Sequence, residues 1–294
     1  MKSANIKLII SMIIFGTIGV FVQNINIGSA YIAAFRGLGG GLFLLIFMCL
    51  KKQKIAFPDI RKNIVPLLLS GLFIGFNWIF LFESYKYTSV AISTICYYTA
   101  PAIVILLSFP ILREKPTIKK FIGIAIALIG MLFVSGVFTE QASETKISGI
   151  IFGLLAAFLY ALVIICNKKI KDINAFDKTV VQLFTAAITV LPYAFFMEEK
   201  PSFSENGLLG NICLVLVAII HTGVSYTLYF GSMDKLPASK IAITSYIDPV
   251  VAIVCSATLL NEKLTVYTCL GAILIIFAAV LTEDSLKIRK STTN

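Results

Sequence analysis

Runs of about twenty apolar residues, separated by short polar or proline-bearing connections, fill almost the whole chain. They cover residues 6–24, 29–50, 63–84, 89–111, 118–137, 147–167, 175–196, 207–230, 238–260 and 265–283. They do not alternate apolar with polar residues, so the strands of a transmembrane β-barrel are excluded. A hydrocarbon core about 30 Å thick takes about 20 helical residues to cross, and each run therefore predicts one membrane-spanning helix. Pro58, Pro116, Pro201 and Pro237 lie between these helices or at their starts, where a missing N–H does least harm.

The pattern also repeats. Residues 83–134 align with residues 231–282 without a gap, placing Tyr98 on Tyr246, Pro101 on Pro249, Glu114 on Glu262, Lys115 on Lys263, Thr117 on Thr265 and Gly123 on Gly271. Residues 8–16 align more weakly with residues 153–161. Each Glu-Lys-x-Thr places charge at the membrane interface and a threonine able to cap the following helix. The chain thus divides into a first five-helix unit over 1–140 and a second over 141–294. Five spans is an odd number, so the two units lie upside down relative to each other. The predicted fold is an all-α integral membrane protein with ten transmembrane helices in two inverted five-helix repeats.

Composition agrees with this class. The chain is 58% hydrophobic and 14% charged, against about 25% charged for a soluble domain. Its net charge of +10 reads as an excess of Lys and Arg in cytoplasmic loops, not as a nucleic-acid surface. With both termini in the cytoplasm, only Lys86, Lys146, Lys200 and Lys263 fall on the far side. The first apolar run follows Lys2 and Lys7 as a signal peptide would, but the runs after it make it an uncleaved span. Six cysteines, scattered through apolar stretches without metal spacing, read as small hydrophobes.

Candidate chemistry lies inside the spans. Asp248 sits about 15 Å along its helix, where a carboxylate costs about 2.5–3.5 kcal/mol to insert. It is expected to face a cavity or a cation, as proton carrier or anchor for a substrate amine; a structural pairing with Arg36, or a hydrogen bond into the unwound backbone, is the other reading. Its repeat partner is Ala100. Arg36 has the planar fork to hold a substrate carboxylate, or could neutralise Asp248 or Glu83. Asn77 and Trp78 lie near the centre of the third span. With Tyr97, Tyr98, Tyr226, Tyr229 and Tyr246 they suit an aromatic amino acid or a quaternary ammonium, or plain core packing. His221, the only histidine, either joins Asp248 in a relay or bonds a neighbouring helix. Pro101 and Pro249 predict helix breaks around a midplane site, with freed carbonyls available to a substrate. Glu83 and Lys86 read as an interfacial pair, and Gln182 and Asn167 as links between helices. The glycines of Gly37-x-Gly39-Gly40-Gly41 read as close helix contact, because no strand or lysine-threonine ending makes them a nucleotide loop.

Two further stretches complete a family pattern. Tyr-Thr-Ala-Pro-Ala-Ile-Val leads to Arg-Glu-Lys, and Ile-Asp-Pro-Val-Val-Ala leads to Asn-Glu-Lys. A glycine-bearing helix closes each repeat, and Ala-Phe-Arg-Gly stands at 34–37. In order and spacing these resemble the drug/metabolite transporter superfamily, in its EamA-type ten-span branch, over nearly the whole chain. The resemblance implies a central cavity and transport of small metabolites, often export of amino acids or related compounds, without ATP. It also implies a bacterial-type cytoplasmic membrane. Many members carry a tryptophan in the first span where this chain has Phe15-Gly16, a departure that weakens any carry-over of cavity lining there.

The expected function is a secondary active transporter that moves a small polar metabolite, foremost an amino acid or related compound, outwards by alternating access. An importer of a cationic amine such as choline is the alternative, suggested by Asp248 among aromatic rings. An intramembrane enzyme is remote, since neither His-Glu-x-x-His nor paired membrane aspartates are present. The expected partners are the substrate, the lipid bilayer and protons as coupling ion; monomer and homodimer both fit. No cofactor, metal or nucleic acid is expected.

Overall fold

The computed structural model describes residues 2–88, 90–114, 117–134, 146–259 and 265–291. Its elements are all helical among those residues. In chain order they are α1 (Lys2–Gly16), α2 (Ile18–Val22), α3 (Ser29–Leu50), α4 (Phe57–Lys62), α5 (Ile64–Tyr87), α6 (Val90–Tyr97), α7 (Ala100–Leu112) and α8 (Ile118–Val134). Then follow α9 (Ile147–Lys169), α10 (Ala175–Met197), α11 (Gly207–Ala218), α12 (Ser225–Met233), α13 (Ala238–Thr244), α14 (Ile247–Leu259) and α15 (Val266–Ser291). A π-helical segment, Ile219–Val224, joins α11 to α12. Among the described residues, eight helical stretches are long and apolar enough to cross a membrane, beginning with Ser3–Val22 and ending with Ala238–Leu259. The spans expected at 118–137 and 265–283 correspond to the 17-residue α8 and to α15. The 140/141 division, Lys115, Pro116, Glu262 and Lys263 lie outside the described residues.

Large apolar side chains such as Leu50, Ile147, Phe196 and Leu208 project outwards, as lipid-facing residues do, while small residues and polar links fill the interior. Gln182 donates to Asn167 Oδ1 at 3.1 Å, and Asn167 donates to Ser70 Oγ at 2.8 Å, tying α10, α9 and α5 together. The packing recurs between the halves. α5 lies on α9 and α12 on α1, α7 on α9 and α14 on α1, while α3–α10 and α8–α15 pair across the halves. Two duplicated units that exchange contacts produce this arrangement.

Several expected continuous helices are interrupted. The first span breaks at Thr17 between α1 and α2, and the eighth widens into the π segment, neither marked by a proline. Pro101 and Pro249 do not bend continuous helices; each sits in the opening turn of a second half-helix, α7 or α14, where proline fits best. The threonine cap expected at Thr117 is made by its carbonyl, which accepts from Lys120 N at 2.9 Å. Its hydroxyl has no partner among the described residues.

Charged side chains secure helix ends. The Glu114 carboxylate accepts from Ala238 N at 2.7 Å and Ser239 N at 3.3 Å, at the start of α13. Lys120 reaches Ser239 Oγ at 2.6 Å, and Lys168 donates to the Met233 and Leu236 carbonyls at 2.9 and 2.8 Å. At the other side, Glu198 accepts from Ala30 N and Tyr31 N at the start of α3. A carboxylate at a helix N-terminus meets the positive end of the helix dipole.

Candidate functional site

The interrupted helices converge. At Gly16 the end of α1 passes α14 so closely that a Cβ would lie 2.5 Å from the Asp248 carbonyl oxygen. The breaks at 98–99 and 245–246 face each other through two tyrosines. Tyr98 donates its hydroxyl to Asp248 Oδ1 at 2.7 Å, and Tyr246 donates to the Tyr98 carbonyl at 2.9 Å. Their rings lie 6.0 Å apart, nearly parallel. A proline at 101 removes one backbone donor from the preceding turn, and the Tyr246 hydroxyl serves a carbonyl of that turn.

Around this junction lies a cavity of about 210 Å³. It is lined by Asp248, Ser245, Tyr98, Ala100 and Pro101 from the junction, by Arg36, Trp78, Asn77 and Tyr226, and by the rings of Phe15, Tyr97, Tyr160 and Tyr229. Phe15 meets Tyr226 and Tyr229 edge to face, at 5.1 and 5.9 Å between ring centres. Tyr160 bridges Tyr229 Oη at 2.5 Å and Ser245 Oγ at 3.0 Å. Met12, Ile18, Leu81 and Phe82 complete the lining.

Arg36 lies with its guanidinium carbon 5.0 Å from the centre of the Trp78 ring, and its Nε donates to Thr222 Oγ1 at 3.1 Å. The expected ion pairs are not made. Among the described residues neither Asp248 nor Glu83 lies within 4.0 Å of the Arg36 guanidinium; Glu83 pairs with Lys86 at 2.8 Å and also accepts from Tyr193. Both Arg36 and Asp248 remain partly open to the cavity. The site therefore offers a cation and a carboxylate that are not paired with each other, among aromatic side chains.

A model of the EamA-like transporter family matches residues 2–136 and again residues 147–283. The chain belongs to the EamA-like transporter family. Within it, the chain is similar to the uncharacterized transporter YxxF of Bacillus subtilis, 33% identical over 96% of this chain and 89% of that protein. An uncharacterized transporter of Archaeoglobus fulgidus is 24% identical over 96% of each chain. A crystal structure of another protein superposes with a TM-score of 0.81 over 96% of both chains at 14% identity, a likeness of fold alone. The protein is thus a multi-pass membrane transporter with a small-molecule substrate and a lipid bilayer around it.

Against that EamA-like frame, the cavity gathers Asp248, Arg36, Asn77, Trp78, Tyr97, Tyr98, Tyr226 and Pro101, but not His221, Tyr246 or Pro249. Asn77 has its amide donated to the Ala156 carbonyl at 2.6 Å, so only part of it faces the space. His221 does not meet Asp248; its Nε2 lies 3.0 Å from Thr17 Oγ1 and its ring packs on Phe21. That contact joins the π segment to the break in the first span, the second of the two readings for His221, and a relay with Asp248 is not formed. Tyr246 is fully buried, and its hydroxyl donates to the Tyr98 carbonyl in the break before Pro101.

Phe15, Tyr160 and Ser245 were not among the chosen site positions, yet the repeat carried signals for them. The weak alignment of 8–16 with 153–161 puts Phe15 on Tyr160. Carrying the spacing of the stronger alignment upstream puts Trp78 on Tyr226 and Leu81 on Tyr229, and within it Tyr97 stands on Ser245.

Proposed function

We propose that the protein is a secondary active transporter of a zwitterionic metabolite, an amino acid or a close relative, which it moves outwards by alternating access. The observation that carries this reading is one small cavity lined both by a guanidinium that makes no ion pair among the described residues and by a carboxylate. A substrate carboxylate suits the fork of Arg36 and a substrate ammonium suits Asp248. The volume of about 210 Å³ lies below the roughly 300–1,000 Å³ of sites for drug-sized ligands, which favours a small solute. A cationic amine without a carboxylate would gain from Asp248 and the rings, but it would share the chamber with Arg36, and like charge disfavours it.

Alternating access follows from the duplicated halves, taken as inverted about a boundary near 140. The distribution of Lys and Arg supports cytoplasmic placement of both termini. In that orientation the lining reaches Ile18 and Phe82, near the outer helix ends at Val22 and Tyr87. The Glu114, Lys120 and Lys168 contacts lie on the cytoplasmic side and hold it closed. The conformation is read as outward-facing. Asp248 can be neutralised by a proton or by a substrate ammonium but not by both at once, and this competition couples proton entry to substrate exit.

The test uses purified protein in proteoliposomes with an imposed pH gradient, assayed with the common L-amino acids and with the amines that lack their carboxyl group. Gradient-driven movement of an amino acid, but not of its amine, is expected. Movement of amines alone would replace this reading with the cationic-amine one.

A further inference from the structure

A π-helical turn in the middle of a membrane span widens the helix by one residue and turns its carbonyls away from the usual partners, and such turns recur at functional sites. Here the segment Ile219–Val224 presses on α3 at glycine. A Cβ on Gly40 would lie 2.9 Å from the Ala218 carbonyl oxygen and 3.0 Å from the Gly223 nitrogen. The two backbones are in contact, so their register is fixed where Arg36 lies one helical turn before Gly40.

Thr222 turns that contact into an orientation. Its hydroxyl has one proton, which it donates to the Val217 carbonyl at 2.9 Å, five residues back along the π turn. A lone pair is then left to accept from Arg36 Nε at 3.1 Å. Thr222 is fully buried, so water does not replace this acceptor. With Nε held and the guanidinium lying over Trp78, the planar group is fixed at an edge and a face. No hydrogen bond from its two terminal nitrogens is made among the described residues. A fork fixed in this way loses little freedom when it takes a carboxylate.

We propose that Thr222 is a positioning residue: the π turn holds its hydroxyl so that the Arg36 guanidinium stays over Trp78 with its terminal nitrogens turned to the substrate carboxylate. The effect on transport rests on the reading of Arg36 as the carboxylate-binding group; the effect on Arg36 itself does not.

Trp78 is the only tryptophan, so intrinsic fluorescence of the unliganded protein reports the guanidinium directly. Thr222→Val keeps the shape and removes the hydroxyl, and Thr222→Ser keeps the hydroxyl. Thr222→Val is expected to shift Trp78 emission in the same direction as Arg36→Ala, with Thr222→Ser close to wild type. Emission of Thr222→Val identical to wild type overturns the proposal. In proteoliposomes loaded with the L-amino acid set, Thr222→Val should raise KM about tenfold with kcat retained, the loss of one charge-assisted hydrogen bond, and Thr222→Ser should restore it. A KM raised by Arg36→Ala but untouched by Thr222→Val also overturns it. If Arg36→Ala leaves amino-acid KM unchanged, the functional reading fails, while emission still decides whether Thr222 holds the guanidinium.

Discussion

Equivalent positions of the two halves meet around the cavity and present different chemistry there. Trp78 stands opposite Tyr226, Leu81 opposite Tyr229, Tyr97 opposite Ser245 and Ala100 opposite Asp248, and each of these lines the space. The pairs Tyr98/Tyr246 and Pro101/Pro249 line it only through their first members. The shared feature is backbone: a helix broken just before a proline, with a tyrosine at the break. The charge is not shared. Two carboxylates facing each other in a small apolar chamber would oppose each other's ionisation, so one half carries the acid and the other a methyl group.

Removing the asymmetry should have the largest effect. Asp248→Asn is expected to lower pH-gradient-driven transport about 100-fold, the scale for truncating one partner of a buried charge pair, with protein abundance retained. Transport that keeps its rate and its response to the gradient would mean that the acid is structural. A sharper version moves the acid across the repeat, as Ala100→Asp with Asp248→Ala. Coupling should stay lost, because the hydroxyl equivalent to Tyr98, that of Tyr246, is bound to a backbone carbonyl. Recovered coupling would show that the halves are chemically interchangeable.

The two tyrosines separate next. Tyr98→Phe removes a donor from a carboxylate that is partly open to the cavity, where water can substitute. Transport should fall about tenfold, from the loss of one hydrogen bond to a charged group, with little change in thermal unfolding in detergent. Tyr246→Phe leaves a buried carbonyl without its partner and should cost about 1–3 kcal/mol of stability, with transport per folded molecule nearly intact. If the two variants behave alike, the distinction between cavity tyrosine and packing tyrosine is lost.

These contrasts also show what a sequence can carry. Apolar run lengths located the eight helices that are long and apolar enough to cross a membrane among the described residues, because the bilayer imposes length directly, and the repeat pointed to both breaks because proline alters the backbone whatever surrounds it. The break at Thr17 and the π turn at Ile219–Val224 follow from packing instead. Gly16 against the Asp248 carbonyl and Gly40 against Ala218 and Gly223 are contacts between residues far apart in the chain. Arg36, Trp78 and Asp248 were legible because charge or a lone indole at membrane depth is costly or rare. Which group each would bond was not. Arg36 found Thr222 instead of Asp248, and His221 found Thr17, because a half-turn of helix rotation decides such partners.

The comparison extends to the helix ends, where the expected effect is smallest. Lys86 in the first half stands opposite Asp234 in the second, and both are ion-paired at nearly equal distance, Lys86 with Glu83 at 2.8 Å and Asp234 with Lys178 at 2.9 Å. Their surroundings differ: the Lys86 side chain is 47% exposed, whereas Lys178, the cation of the other pair, is 0% exposed. An exposed pair contributes at most about 1 kcal/mol, because water and salt screen it. Lys86→Met should therefore shift thermal stability by less than about 1 kcal/mol and leave transport unchanged. Transport lost at unchanged stability would instead make Glu83, Lys86 and Tyr193 part of an outer gate, and the inequality between the halves would then reach from the cavity to the membrane surface.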